Sequence, residues 1–138
     1  MMVLVDTPVW SLALRRKAGD LNARERVLTR ALAELIREGR AQIMGLVRQE
    51  LLSGIREEER FARLRDYLRA FEDPELEVRD YEEAATMHNH CRSRGVAGST
   101  TDLLICAVAQ RRNWQIFTTD HDFHRYARVL ALRLFASV

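Results

Sequence analysis

The chain opens on an unbroken apolar run, Met2 to Val5, that stops abruptly at Asp6. Such a run is the pattern of a strand covered on both faces. Thr7-Pro8 then predicts a helix start, with Thr7 as the cap and proline at the first helical position. Beyond Asn22 the spacing becomes helical, with Val27, Leu28, Ala31, Leu32, Leu35 and Ile36 on one stripe and Gly39 closing the segment. Ala41 to Gly45 reads as a second short strand. A helix carrying Val47, Glu50, Leu51 and Leu52 follows and stops near Gly54.

From Glu57 to Phe71 the chain is strongly amphipathic, with Phe61, Leu64, Leu68 and Phe71 on one face and arginines on the other. Pro74 ends it. Leu76 to Val78 is predicted as a strand and Tyr81 to Arg94 as a helix stopped by Gly95. Ser99 opens a helix whose body, Leu103 to Ala109, is apolar nearly all round and therefore central. Gln115 to Thr118 reads as the next strand, a short helix follows Asp122, and Val129 to Leu134 is expected to form the last strand. This alternation predicts an α/β fold, with a mainly parallel central sheet flanked by helices in one domain spanning residues 1–138. In such folds ligands bind at the carboxyl ends of the strands.

Composition narrows the class. At 138 residues and 47% hydrophobic content, the chain can bury a substantial core. No apolar run approaches the roughly 18 residues that a membrane span needs. Met1 to Val5 lacks a preceding basic segment and does not read as a signal peptide, so the expected location is the cytoplasm. Cys91 and Cys106 fit buried small hydrophobes better than a disulfide or a zinc site. Lys17 is the sole lysine among 22 basic residues. Arginine suits phosphate because its planar fork donates two parallel hydrogen bonds, although genomic base composition produces the same bias. A net charge of +2 decides nothing about nucleic acid.

The chemistry lies in four acids that sit where apolar segments end or helices begin: Asp6, Glu50, Asp102 and Asp120. Each has an ordinary explanation taken alone. Asp102 fits a capping box with Ser99, Asp120 or Asp122 fits a cap for the short helix, and Glu50 fits a solvated helix face. Asp6 is hardest to dismiss, because it directly follows a buried strand. Brought together, the four would form a cluster of like charges that a hard divalent cation makes tolerable. An ion held there lowers the pKa of a water and neutralises charge growing on a phosphate, which is phosphodiester chemistry. Thr118 and Thr7 are placed to orient an acid or a water through their hydroxyls.

These residues also carry a resemblance. Val3-Leu4-Val5-Asp6-Thr7, Gln49-Glu50-Leu51-Leu52-Ser53-Gly54, Thr101-Asp102 through Ala109, and Ile116-Phe117-Thr118-Thr119-Asp120-His121-Asp122-Phe123 occur in order over nearly the whole chain. The ordered set resembles the PIN domain, specifically the VapC-type toxin nucleases of prokaryotic toxin–antitoxin pairs. The resemblance implies a PIN-like three-layer sandwich and an acidic pocket that binds Mg²⁺ or Mn²⁺ and cleaves RNA. It implies a homodimer inhibited by a cognate VapB-type antitoxin. Asp6, Glu50 and Asp102 would match the family's three core acids, and Asp120 its more variable fourth, with Thr118 beside it. Asp122 is a weaker candidate for that fourth place. Cys106 stands where alanine is commoner.

Other signals are weaker. His88, His90 and Cys91 include soft-metal ligands, but residues two apart on a helix diverge. His121 and His124 lie near the acids in sequence and could meet a phosphate or stand in solvent. Arg111, Arg112 and Arg125 could guide RNA or simply keep a face soluble. Trp10, Leu14 and the amphipathic helix could form a groove or dimer face, although core is their ordinary role. A non-catalytic RNA-binding or interaction module on the same fold is the main alternative function. An aspartyl-phosphate phosphatase or receiver built on Asp6 is disfavoured, because position 8 is proline and Lys17 is poorly placed for a strand-end site.

Overall fold

A computed structural model describes residues 1–136; the last two positions of the expected 1–138 domain lie outside the described residues. Three parallel strands form the sheet: β1 (Val3–Val5), β2 (Ala41–Gln42) and β3 (Gln115–Phe117), in the order β2-β1-β3. Val3, Leu4 and Val5 are all fully buried. Successive strand residues point to opposite faces, so both faces of the sheet are covered, as the apolar run requires.

Helix α1 (Thr7–Leu14) packs against α2 (Ala23–Arg37) and α3 (Gly45–Leu52). Helix α4 (Glu58–Leu68) packs on α3. Helix α5 (Val78–Ser93) packs along α6 (Thr100–Arg112), and α6 lies against β1 and β3. Its body, Leu103 to Ala109, is buried throughout, which accounts for an apolar character with no polar face. A short α7 (Asp122–Ala127) follows β3. Among the described residues no helix is long and apolar enough to cross a membrane. Both cysteines are free and buried.

The helix ends follow local chemistry. Asn22 caps α2 through a reciprocal box: its side chain accepts the Glu25 N–H, and Glu25 accepts the Asn22 N–H. Gly39 leaves that helix at φ +70°, a conformation that costs glycine nothing. Asn113 ends α6 in the same left-handed region at φ 60°.

Four expectations need correction. The cap of α1 is Asp6, not Thr7, because Asp6 Oδ1 accepts the Thr7 N–H at 2.8 Å while the Thr7 hydroxyl turns to Glu50. Leu76 to Val78 is not a strand. Asp80 reaches back to the Glu77 N–H at 2.8 Å, which starts α5 at Val78, three residues before the expected Tyr81. The strand expected at Val129 to Leu134 shrinks to one parallel bridge, Leu134 with Ile116; a tight turn from Leu130 to Leu132 keeps the preceding residues off the ladder. The second strand covers only Ala41 and Gln42, because α3 already begins at Gly45.

Candidate active site

Register builds the centre of the site. Val5 of β1 is paired with Phe117 of β3, so the next residues on each strand, Asp6 and Thr118, emerge side by side at the carboxyl edge. The Asp6 N–H donates to Phe117 O at 2.9 Å and fixes that junction. Thr118 Oγ1 then donates to Asp6 Oδ2 at 2.8 Å and accepts the Asp120 N–H at 3.0 Å. One hydroxyl thereby positions two acids. Asp120 Oδ1 in turn accepts the Asp122 N–H at 2.9 Å, which starts α7.

The first turn of α6 supplies Asp102. Ser99 Oγ accepts its N–H at 3.0 Å, and only this half of the expected capping box is made. The Asp102 carboxylate instead accepts the Tyr126 hydroxyl of α7 at 2.8 Å. Gly98 makes that approach possible. A methyl group at position 98 would collide with Leu103 and lie 3.1 Å from Tyr126 Cε1. Nothing in the local sequence pointed to Tyr126, 24 residues from its partner, because only the fold brings α7 onto the start of α6.

One carboxylate oxygen from each of Asp102, Asp120 and Asp122 lies within 4.8 Å of the others. Asp6 adjoins this group through its electrostatic contact with Asp102. Glu50 stands further out and exposed, its Oε2 accepting the Thr7 hydroxyl at 2.7 Å. The structure therefore gathers all four expected acids at one edge. The three-carboxylate cluster, however, contains Asp122, while Asp6 and Glu50 flank it.

Burial and like charge act in one direction. Asp6 is only 7% exposed, and desolvation pushes its carboxyl up to about 6 against the opposing Thr118 and Thr7 hydrogen bonds. Asp102 and Glu50 raise it further. Asp102 is raised as well, by burial first and then by Asp120 and Asp122, while Tyr126 opposes the shift. Burial and the neighbouring Asp102 hold the Tyr126 phenol well above its usual range. Cys106, beneath the acids, stays a neutral thiol for the same reasons.

Of these acids, only Asp122 has an arginine partner among the described residues, Arg125 at 3.0 Å. Arg111 and Arg112 are not available to guide a ligand, because both are tied to the buried Asp80 at 2.7 and 2.8 Å. His121 and His124 are exposed and line a cleft that also includes Thr118 and Thr119. His88, His90 and Cys91 are outside the acid cluster, with Cys91 buried and His90 facing solvent. Trp10 is core: its Nε1 donates to Val5 O at 3.0 Å. Lys17 lies past the far end of α1, away from Asp6.

The model of the PIN domain family matches residues 3–129, nearly the whole chain. The chain belongs to the PIN domain family. Solved structures agree on the fold. FitAcB from Neisseria gonorrhoeae superposes with a TM-score of 0.77 at 19% identity, covering 99% of this chain and 98% of that one. VapBC2 from Rickettsia felis, bound to a DNA fragment from its promoter, gives 0.71 at 17%, covering 98% of each. A toxin–antitoxin complex from Klebsiella pneumoniae gives 0.66 at 18%, covering 88% of this chain and 89% of that one. At such identities the likeness speaks for the PIN fold alone.

The donor set suits a hard divalent cation. Its atoms are carboxylate oxygens on half-buried side chains, three of them close enough to share one ion, and their like charges help to raise Asp102.

Proposed function

We propose that this PIN protein is a divalent-metal-dependent endoribonuclease, the toxin of a VapBC-type toxin–antitoxin pair. The observation that carries the reading is the convergence of Asp102, Asp120 and Asp122 beside the buried Asp6, whose carboxyl is pushed up to about 6. Asp102, Asp120 and Asp122 would hold Mg²⁺ or Mn²⁺, with Asp6 and Glu50 completing the acidic wall. Such an ion supplies charge neutralisation at the scissile phosphate and acidifies a water. The protein's own groups set the rest of the geometry. Thr118 fixes the rotamer of Asp6 and the backbone of Asp120, and Tyr126 fixes Asp102. Thr7 holds Glu50 at the open side, where an acceptor can receive a proton from water.

The same reading assigns RNA as the substrate, a cytoplasmic place of action, a homodimer, and a VapB-type antitoxin whose tail occupies the acidic edge in the inhibited complex. The structural neighbours include toxin–antitoxin assemblies, which supports that partner class.

Cleavage of total cellular RNA by the purified protein tests the reading, with Mg²⁺, Mn²⁺ or EDTA and beside Asp6→Asn and Asp102→Asn. Discrete metal-dependent fragments from the wild type, absent with either variant, are expected. Intact RNA throughout, or equal cutting by the variants, would leave a non-catalytic RNA-binding module as the better account.

A further inference from the structure

Three adjoining clefts run between the end of α1 and α4, sharing Leu14, Ile55 and Arg60. Their apolar floor includes Leu14, Ile55, Leu64 and Tyr67. Tyr67 is 44% exposed, and its ring lies 5.7 Å from Phe71, which in turn meets the buried Trp10 edge-on at 5.1 Å. The core thus backs an aromatic face that solvent reaches.

Around this floor stand Arg15, Lys17, Arg56, Arg60 and Arg63. None of the five has an ion pair or side-chain hydrogen bond among the described residues. Arg48, Arg112 and Arg125, by contrast, are each matched to an acid. The clefts' own acids are Asp20 and Glu58. Five like charges gathered on a concave surface repel one another, and a polyanion relieves that repulsion.

Position ties the clefts to the acids. Thr7 and Leu14 are seven residues apart on α1, so they share a helix face about 10 Å from end to end. Thr7 holds Glu50 and Leu14 lines the cleft. The near wall of the basic cleft therefore lies about 10 Å along α1 from the Glu50 side of the acidic edge. A carboxylate cluster repels a phosphate backbone, and a neighbouring cationic track counters that repulsion.

We propose that this cleft binds the sugar–phosphate backbone of single-stranded RNA, with Tyr67 stacking on one base; the inference rests on the ribonuclease reading above. Arginine forks match phosphate oxygens, and an exposed aromatic ring matches a base. An acidic protein segment would use the cations and leave Tyr67 without a planar partner.

The test is fluorescence anisotropy with a 5′-fluorescein 16-nucleotide single-stranded RNA in EDTA, so that binding is read without cutting. Arg60→Ala/Arg63→Ala is expected to bind at least about tenfold more weakly, with a salt slope shallower by about 1.4. Tyr67→Ala is expected to lose about tenfold, while Arg30→Glu, on the exposed face of α2, binds as wild type. Melting curves by circular dichroism confirm that each variant is folded. Unchanged affinity and slope in Arg60→Ala/Arg63→Ala would overturn the proposal. So would displacement by a 16-residue polyglutamate as effective as unlabelled RNA, which would assign the cleft to an acidic protein segment. The metal-dependent cleavage assay separates the two readings. A wild type that binds through the cleft but cuts nothing defeats the nuclease and keeps the cleft. A wild type that cuts while Arg60→Ala/Arg63→Ala binds and cuts equally well defeats the cleft alone.

Discussion

The Thr118 hydroxyl donates to Asp6 Oδ2 at 2.8 Å while accepting the Asp120 N–H at 3.0 Å, so one oxygen joins the ends of two strands and two acids. Valine has the same shape and cannot do either. Thr118→Val is expected to remain folded and to lose at least about tenfold in kcat on RNA, the equivalent of one hydrogen bond to a charged group. Thr118→Ser restores the hydroxyl and most of the rate. Single-turnover cleavage by the three proteins checks this. Equal rates for valine and serine would show that the bridge is merely structural.

Asp6 has a raised pKa in the folded protein, about 6 against an ordinary 3.8. The folded state therefore binds the proton more tightly, and stability falls as pH rises from about 4 to about 6. Above that window the metal-free protein carries the full penalty, up to about 3 kcal/mol. Asp6→Asn is expected to be more stable than wild type at pH 7.5 in EDTA, with the advantage vanishing near pH 4. Urea unfolding at the two pH values measures it. Excess Mg²⁺ is expected to stabilise wild type and to do less for Asp6→Asn.

Asp80 shows the opposite sign away from the site. It is fully buried and accepts hydrogen bonds from Arg111, Arg112 and the Glu77 N–H, which together hold its carboxyl well below the usual range. Its contribution is present above about pH 4 and is lost as pH falls through the folded-state value. Asp80→Asn is expected to cost about 2–3 kcal/mol at pH 7, less than a wholly buried pair because both arginines reach solvent. The difference from wild type should shrink in acid. A constant difference between pH 3 and 7 in urea unfolding would mean that packing, not charge, carries the effect.

How far the sequence revealed this molecule depended on how local each cause was. The buried strand, the Asn22 box and the apolar body of α6 were legible because each is written in adjacent residues. Asp6 and Thr118 were legible as strand-end residues, and the parallel register then made them neighbours. Leu76 to Val78 misled because three residues carry little periodicity, and the decisive contact came from Asp80 and its two distant arginines. Tyr126 and Gly98 were invisible for the same reason: their role is a contact between the start of α6 and a later helix. Arg111 and Arg112 looked like ligand-guiding cations until the buried acid they serve was in view.

That late contact has its own test. Tyr126→Phe removes the donor to Asp102 without emptying the core, and Gly98→Ala collides with Leu103 and crowds Tyr126. Both are expected to weaken Mn²⁺ binding severalfold and to lower RNA cleavage together with it. Titration followed by electron paramagnetic resonance of free Mn²⁺ measures the affinity. If Tyr126→Phe bound Mn²⁺ normally, Asp102 would owe its orientation to the start of α6 alone.

Asp120 and Asp122 compete for the fourth acidic place, and their surroundings differ. Asp120 is anchored by Thr118 through its backbone and receives the Asp122 N–H on Oδ1. Asp122 already pairs with Arg125, which offsets its charge. Replacing an acid whose charge is unmatched removes more cation affinity than replacing one that has a partner. Asp120→Asn is therefore expected to reduce Mn²⁺ affinity and cleavage by about tenfold or more, and Asp122→Asn by less. Arg125→Ala frees the Asp122 carboxylate and is expected to leave metal binding unchanged or tighter. The reverse order, with Asp122→Asn the more damaging and Arg125→Ala harmful, would move the fourth ligand to Asp122 and make its arginine a positioning residue.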